Sequence, residues 1–101
     1  MEHLGVTTYG INEGSFSEIA QQSKEGMLPI FKKEPGFIRY GVADIGDKNV
    51  MSITLWETRD QAEASVPVAA TWVKETLGDR VELRSSRVGD LASYEAVPTT
   101  V

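Results

Sequence analysis

The spacing of apolar positions along the chain alternates between a period of two and a period of three to four. From Leu4 to Ile11, Leu4, Val6 and Thr8 fall on one alternation and Thr7, Tyr9 and Ile11 on the other. Such a β-branched and aromatic run suits a strand. Asn12-Glu13-Gly14 breaks it, and Ser15 with Glu18 has the spacing of a capping box at a helix start. Phe16, Ile19, Ala20, Ser23, Met27, Ile30 and Phe31 then recur at helical intervals, which predicts a helix over about 15 to 33. Pro29 has no N–H for the carbonyl of Glu25, so a kink or a short second segment is expected there.

Glu34-Pro35-Gly36 stops the helix, and Phe37 to Ile45 reads as a second strand. Strict alternation puts Ile38, Tyr40 and Val42 on one face and Phe37, Arg39, Gly41 and Ala43 on the other. After the polar turn Gly46 to Asn49, a third strand from Val50 to Trp56 sets Met51, Ile53 and Leu55 against Val50, Ser52, Thr54 and Trp56. Thr58 and Gln61 make a second capping-box pair. Ala62, Val66, Ala69, Val73 and Leu77 continue a helical stripe to Gly78, a C′ glycine. Pro67 interrupts that stripe, and Ser65 is placed to recap a second segment. A last strand is expected from about 81 to 91, and 93–101 reads as a C-terminal arm.

The order is βαββαβ, in two halves of the same grammar, within a single domain over 1–92. Right-handed crossovers then place both helices on one face of a four-stranded antiparallel sheet, a ferredoxin-like α+β fold. The other face of so apolar a sheet is too large a patch for a monomer, and a second copy of the chain is the expected cover.

Composition narrows the partners. Among 101 residues the net charge is −5, and the ten cations are scattered, which disfavours nucleic acid and anionic membrane surfaces. No stretch approaches the length of a membrane span, and the start of the chain has no signal-peptide pattern, so the sequence reads as that of a soluble cytoplasmic protein. There is no cysteine and one histidine, His3, which leaves thiol chemistry without a candidate and metal binding unfavoured. No nucleotide-loop or nucleophile-elbow pattern occurs.

Pro35-Gly36-Phe37-Ile38-Arg39-Tyr40, then Ser52-Ile53-Thr54-Leu55-Trp56-Glu57-Thr58 and Gln61-Ala62, resemble the antibiotic biosynthesis monooxygenase-like group of the dimeric α+β barrel superfamily. The resemblance runs over nearly the whole chain. It implies pairing of two sheets as a dimeric barrel, and an oxygenase that uses no cofactor on a small aromatic or quinol-like substrate. The alternative is a non-catalytic small-molecule-binding or structural homodimer of the same fold. Haem-degrading relatives carry an Asn on strand one and a Trp and a His on the second helix. Here Thr7, Thr8 and Tyr9 fill the strand, while Ser65 and Glu75 stand near those helical positions, so haem is not expected.

Under the oxygenase expectation the substrate supplies the electrons and the protein supplies desolvation and hydrogen bonds. Tyr9 and Tyr40 are the candidate phenolic donors, Arg39 the candidate anion stabiliser, and Trp72 the candidate stacking surface. Alternation allows only one of Arg39 and Tyr40 to face the helices. Trp56, at a strand end, is expected to be structural, and His3 to be a solvated terminal residue. A pocket lined by converging Tyr, Arg and Trp side chains would favour chemistry, and one filled by Phe16, Ile19, Met27, Val66 and Val73 would favour a closed core.

Overall fold

The computed structural model describes residues 2–92, so the expected arm at 93–101 lies outside the described residues. The elements are β1 (His3–Ile11), α1 (Phe16–Lys32), β2 (Phe37–Gly46), β3 (Asn49–Trp56), α2 (Arg59–Thr76), a short 3-10 turn at Gly78–Arg80, and β4 (Val81–Asp90). The four strands form one antiparallel sheet in the order β2-β3-β1-β4, with β2 and β4 at its edges.

Local chemistry sets the helix ends. Ser15 accepts a hydrogen bond from the Glu18 N–H at the start of α1. Thr58 and Gln61 make the full reciprocal box at the start of α2: the Gln61 N–H donates to the Thr58 hydroxyl at 3.2 Å, and the Thr58 N–H donates to Gln61 Oε1 at 3.1 Å. Caps of this kind contribute about 1 kcal/mol. Gly78 ends the segment with φ +55°, a left-handed conformation that a side chain would strain.

Both helices run unbroken through their prolines, against the kink or split expected from sequence. Pro29 and Pro67 are both exposed, so each ring points outward and water can satisfy the carbonyl left without a partner. The inward faces meanwhile hold the helix to the sheet. Ser65 does not recap a second segment; its hydroxyl donates back to the Ala62 carbonyl at 2.6 Å.

Strand register decides which side chains meet the helices. Thr7, Tyr9 and Ile11 of β1 share that face with Val50, Ser52, Thr54 and Trp56 of β3. In β2 the alternation predicted from sequence is shifted at two residues, Ile38 and Ile45. Phe37 pairs with Trp56 and Arg39 with Leu55, so Ile38 is an extra residue in a bulge. The bulge puts Phe37 and Tyr40 on the helix face and Arg39 and Gly41 on the open face. In β4 a register shift at Arg84 lets Leu83 stand opposite Tyr9 while Ser85 pairs with Thr8.

The core has two centres. One gathers Ile11, Ile19, Val50, Leu77 and Val81. The other gathers Met27, Phe31, Trp56 and Ala62, where Phe31 meets Trp56 edge-on at 5.7 Å and Tyr40 edge-on at 5.3 Å. Trp56, expected to be structural, is 1% exposed within this cluster. Trp72 packs against both centres. No helix among the described residues is long and apolar enough to cross a membrane.

Candidate active site

Between the two apolar centres the helix face carries small hydroxyl side chains. Thr7 comes from β1, Ser52 and Thr54 from β3, Ser86 from β4, Ser23 from α1 and Ser65 from α2. Gly5 precedes them on β1, and a Cβ there would lie 2.6 Å from Thr54 Oγ1, so the sheet tolerates no larger residue without shifting that hydroxyl. This band encloses an inner cavity of about 40 Å³ that Tyr9, Tyr40 and Trp72 line together. A neighbouring space of about 70 Å³ lies toward Gly5, Ser65 and Ser86, and Tyr9 lines that one too.

Two wider grooves lie beside the cavity, each sharing one aromatic side chain with it. Tyr9 also lines a groove of about 420 Å³ bounded by Ala70, Val73 and Lys74 of α2, Gly78, Asp79, and Val81 and Leu83. Trp72 also lines a groove of about 450 Å³ between the outer surfaces of the helices, with Ile30, Pro67, Val68, Thr71 and Glu75. The inner cavity is too small for a ring system, so a planar ligand has to lie in a groove and present only an edge to the interior.

Burial pushes the Tyr9 phenol above the ordinary tyrosine pKa. Tyr40 is likewise pushed up by burial, which outweighs the lowering effect of the Ser23 hydroxyl; the Tyr9 phenol adds a smaller raising effect and the Ser52 hydroxyl a still smaller lowering one. Both phenols are therefore protonated at neutral pH and can act as hydrogen-bond donors, not as bases. Among the described residues no carboxylate, imidazole or amine lines the inner cavity; Lys74 and Asp79 line the neighbouring Tyr9 groove.

Of the four residues singled out from sequence, three share this cavity and one does not. Arg39 projects from the opposite face of the sheet, into a groove of about 340 Å³ with Leu4, Gly41, Ile53 and Leu91. The lining accordingly mixes the two expected patterns: Tyr9, Tyr40 and Trp72 converge among Ile19, Met27 and Val73, without an arginine. Sequence reasoning passed over Thr7, Ser23 and Ser52, whose signal was the polar alternation of β3 and a serine on the apolar stripe of α1.

His3 is not a free terminal side chain. Its Nδ1 lies 2.8 Å from Asp90 Oδ1, which also accepts from Arg59 at 3.2 Å, while Arg59 pairs with Glu63 at 3.2 Å. The His3 bond and the Arg59 charge hold the Asp90 carboxyl below the usual carboxylate range. This network ties β1 and β4 to the start of α2, away from the cavity. Among the described residues no cluster of three potential metal ligands occurs.

No protein-family model and no curated protein matches the sequence. Solved structures do. SnoaB from Streptomyces nogalater, a cofactor-independent oxygenase, is 18% identical with a TM-score of 0.62 over 97% of this chain and 98% of its own. A monooxygenase from the gene ActVA-Orf6 of Streptomyces coelicolor, solved in complex with the ligand nanaomycin D, is 15% identical with a TM-score of 0.64 over 97% and 92%. A dimeric ferredoxin-like protein from an uncultured marine organism is 7% identical with a TM-score of 0.69 over 96% and 100%. The chain is thus a ferredoxin-like α+β protein. More narrowly, its fold is similar to that of SnoaB and of the ActVA-Orf6 monooxygenase.

Proposed function

We propose that the protein is a cofactor-independent oxygenase of a small aromatic or quinol-like compound, working as a homodimer. The observation that carries this reading is the convergence of Tyr9, Tyr40 and Trp72 on one cavity, with Tyr9 shared by a groove large enough for a planar ligand. The substrate lies in that groove against the Tyr9 side of the interior. Protonated phenols there donate to the oxygen atom on which negative charge develops as the substrate loses a proton.

In the overall reaction a ring CH₂ and O₂ become a carbonyl and water. The substrate is oxidised, one oxygen atom enters the product, and the other leaves as water with the two hydrogens. The inner cavity contains no base, so the substrate must itself be acidic, as quinols and enolisable ring ketones are, or lose its proton at the groove mouth, where Asp79 stands. The same lack of an inner base supports a second reading, a small-molecule-binding dimer without chemistry.

The homodimer rests on the open sheet face. Val6, Met51 and Ile53, each half-buried, project there from β1 and β3, flanked by the exposed Arg39. Face-to-face pairing of two sheets would bury this apolar surface.

Oxygen uptake with naphthohydroquinone and anthrone tests the function. Stoichiometric consumption of O₂, slowed at least ~10-fold by Tyr9→Phe, is the expected result, since one lost donor to a developing oxyanion costs about that or more. Retention of an aromatic ligand in native mass spectrometry with no oxygen uptake from either compound would establish the binding reading instead.

A further inference from the structure

Four polar groups on the wall of the inner cavity have no partner in the chain. Among the described residues, the Tyr9 and Tyr40 phenols, the Ser52 hydroxyl and the Trp72 indole N–H make no hydrogen bond within the distance and angle of a formed one. Two neighbours on the lining differ: the Ser23 hydroxyl donates to the Ile19 carbonyl at 2.8 Å, and Thr7 shares a bond with Ser86 at 3.1 Å. The four groups are not sealed in either. Among the described residues, the side-chain polar atoms shut off from solvent without a partner are Gln22 Oε1 and Trp56 Nε1, and neither residue lines the cavity. Each of the four therefore faces space that a water molecule can enter.

The cavity has the room and the bonds for water. Its volume is about 40 Å³, on a scale where one water needs about 10–15 Å³. A buried water makes about three hydrogen bonds. Each hydroxyl on the wall offers one donor and two lone pairs, and the indole one donor. Half-buried groups of this kind are ordinarily satisfied by ordered water when the chain supplies nothing else.

The layout gives such a water a role. Tyr9 lines both the cavity and the groove assigned to the substrate, whereas Tyr40 and Ser52 line the cavity and not that groove. Tyr40 can thus reach the substrate only through what fills the cavity. A phenol has a single proton to donate. If Tyr9 donated inward, none would remain for the substrate; a water that donates to the Tyr9 oxygen leaves that proton directed at the groove.

We propose that the inner cavity is a water site, and that its water links the Tyr40 hydroxyl to the Tyr9 oxygen, which makes Tyr40 a positioning residue for the Tyr9 donor. The role of Tyr40 rests on the oxygenase reading; the water site does not. The order of donation is Tyr40 to water, water to Tyr9, and Tyr9 to the substrate oxygen on which charge develops. Each bond in such a chain polarises the next, so Tyr9 is a stronger donor than a lone phenol.

Diffraction from crystals of the native protein tests the site. An ordered water within hydrogen-bond distance of both phenols is expected, and it should be lost in Tyr40→Phe and in Val50→Ile. The second variant adds a methyl group to the cavity wall and removes no polar group, and a retained thermal transition shows that each variant folds. A direct bond between the two phenols, or a native cavity without an ordered water, overturns the site. A water that stays in place in Tyr40→Phe overturns the link to Tyr40.

Oxygen uptake with naphthohydroquinone tests the role. Tyr40→Phe and Val50→Ile are expected to lower kcat several-fold while the KM for the quinol stays within about 2-fold. In a Tyr9→Phe background, which has no donor to position, neither should have a further effect. An unchanged kcat, or losses that multiply with that of Tyr9→Phe, overturns the positioning role. Absence of oxygen uptake by the native protein defeats the oxygenase reading and the role of Tyr40 with it, while diffraction still decides the water site.

Discussion

The indole of Trp72 on α2 occupies the space that a side chain at Gly26 of α1 would need. A Cβ on Gly26 would stand 2.5 Å from Trp72 Cζ2 and 2.9 Å from Nε1. Glycine in a helix interior is otherwise a liability, costing about 1 kcal/mol relative to alanine. Its presence opposite Trp72 lets the tryptophan reach from the outer groove to the inner cavity and pack on both apolar centres.

Gly26→Ala should therefore destabilise the protein despite the better helix propensity. Overpacking costs about 1–3 kcal/mol against a gain near 1, so a net loss of about 1 kcal/mol is expected. Urea denaturation measures it. In a Trp72→Phe background, where the smaller ring removes the overlap, the same substitution should become neutral or stabilising. Equal effects in both backgrounds would show that the two residues are not coupled.

Much of this arrangement was legible in the chain. Strand and helix limits came from local signals that act within one turn: Ser15, Thr58 with Gln61, and Gly78 at φ +55°. The bulge at Ile38 was not legible, because Phe37 and Ile38 are both apolar and either fits the helix face. What decides is tertiary: Phe37 sits 5.5 Å from Trp56 and 6.0 Å from Phe31, and that contact pulls it out of phase with Arg39. The prolines misled for a related reason, since helix propensity is local while the packing that holds α1 and α2 straight is not. Tyr9, Tyr40 and Trp72 stood out by residue type. The hydroxyls of Thr7, Ser23 and Ser52 did not, because a short polar side chain on a strand or helix reads equally well as solvent-facing.

The buried phenols make stability fall at high pH. Tyr9 and Tyr40 hold their protons more tightly in the folded state than the ordinary pKa of 10.0, so neither affects stability below that pH. Above it the unfolded chain ionises first, binds fewer protons, and is favoured progressively as pH rises through the folded values. The urea midpoint should drop as pH rises above about 10, and the drop should be shallower in Tyr40→Phe and Tyr9→Phe. Unchanged pH dependence in both variants would place the phenols in an aqueous environment.

The Asp90 carboxylate works in the opposite direction. Its folded pKa lies below the ordinary 3.8 because His3 and Arg59 favour the charged form, so its contribution is present above 3.8 and is lost as pH falls through the folded value. Asp90→Asn should lower the thermal midpoint at pH 6 and have progressively less effect toward pH 2. Asp90 is exposed, so the difference at pH 6 should be small and should shrink further in high salt. A difference that is constant across this range would assign the effect to packing at the end of β4.

The open face of the sheet makes the sharpest claim about assembly. Ile53 is at the centre of that face, between Val6 of β1 and Gly41 of β2. Its side chain points away from the helices, so a charge there leaves the core of the single chain intact. Ile53→Glu would place a carboxylate in the apolar surface that the proposed pairing of two sheets buries, a desolvation cost incurred by both copies. Light scattering is expected to give twice 11.1 kDa for the native protein and 11.1 kDa for the variant, with the far-ultraviolet spectrum unchanged. Arg39→Ala, on the rim of the same face, should leave the dimer intact and weaken it only modestly, because a flanking charge contributes little where water still reaches it. A native protein of 11.1 kDa at micromolar concentration would remove the sheet-to-sheet pairing.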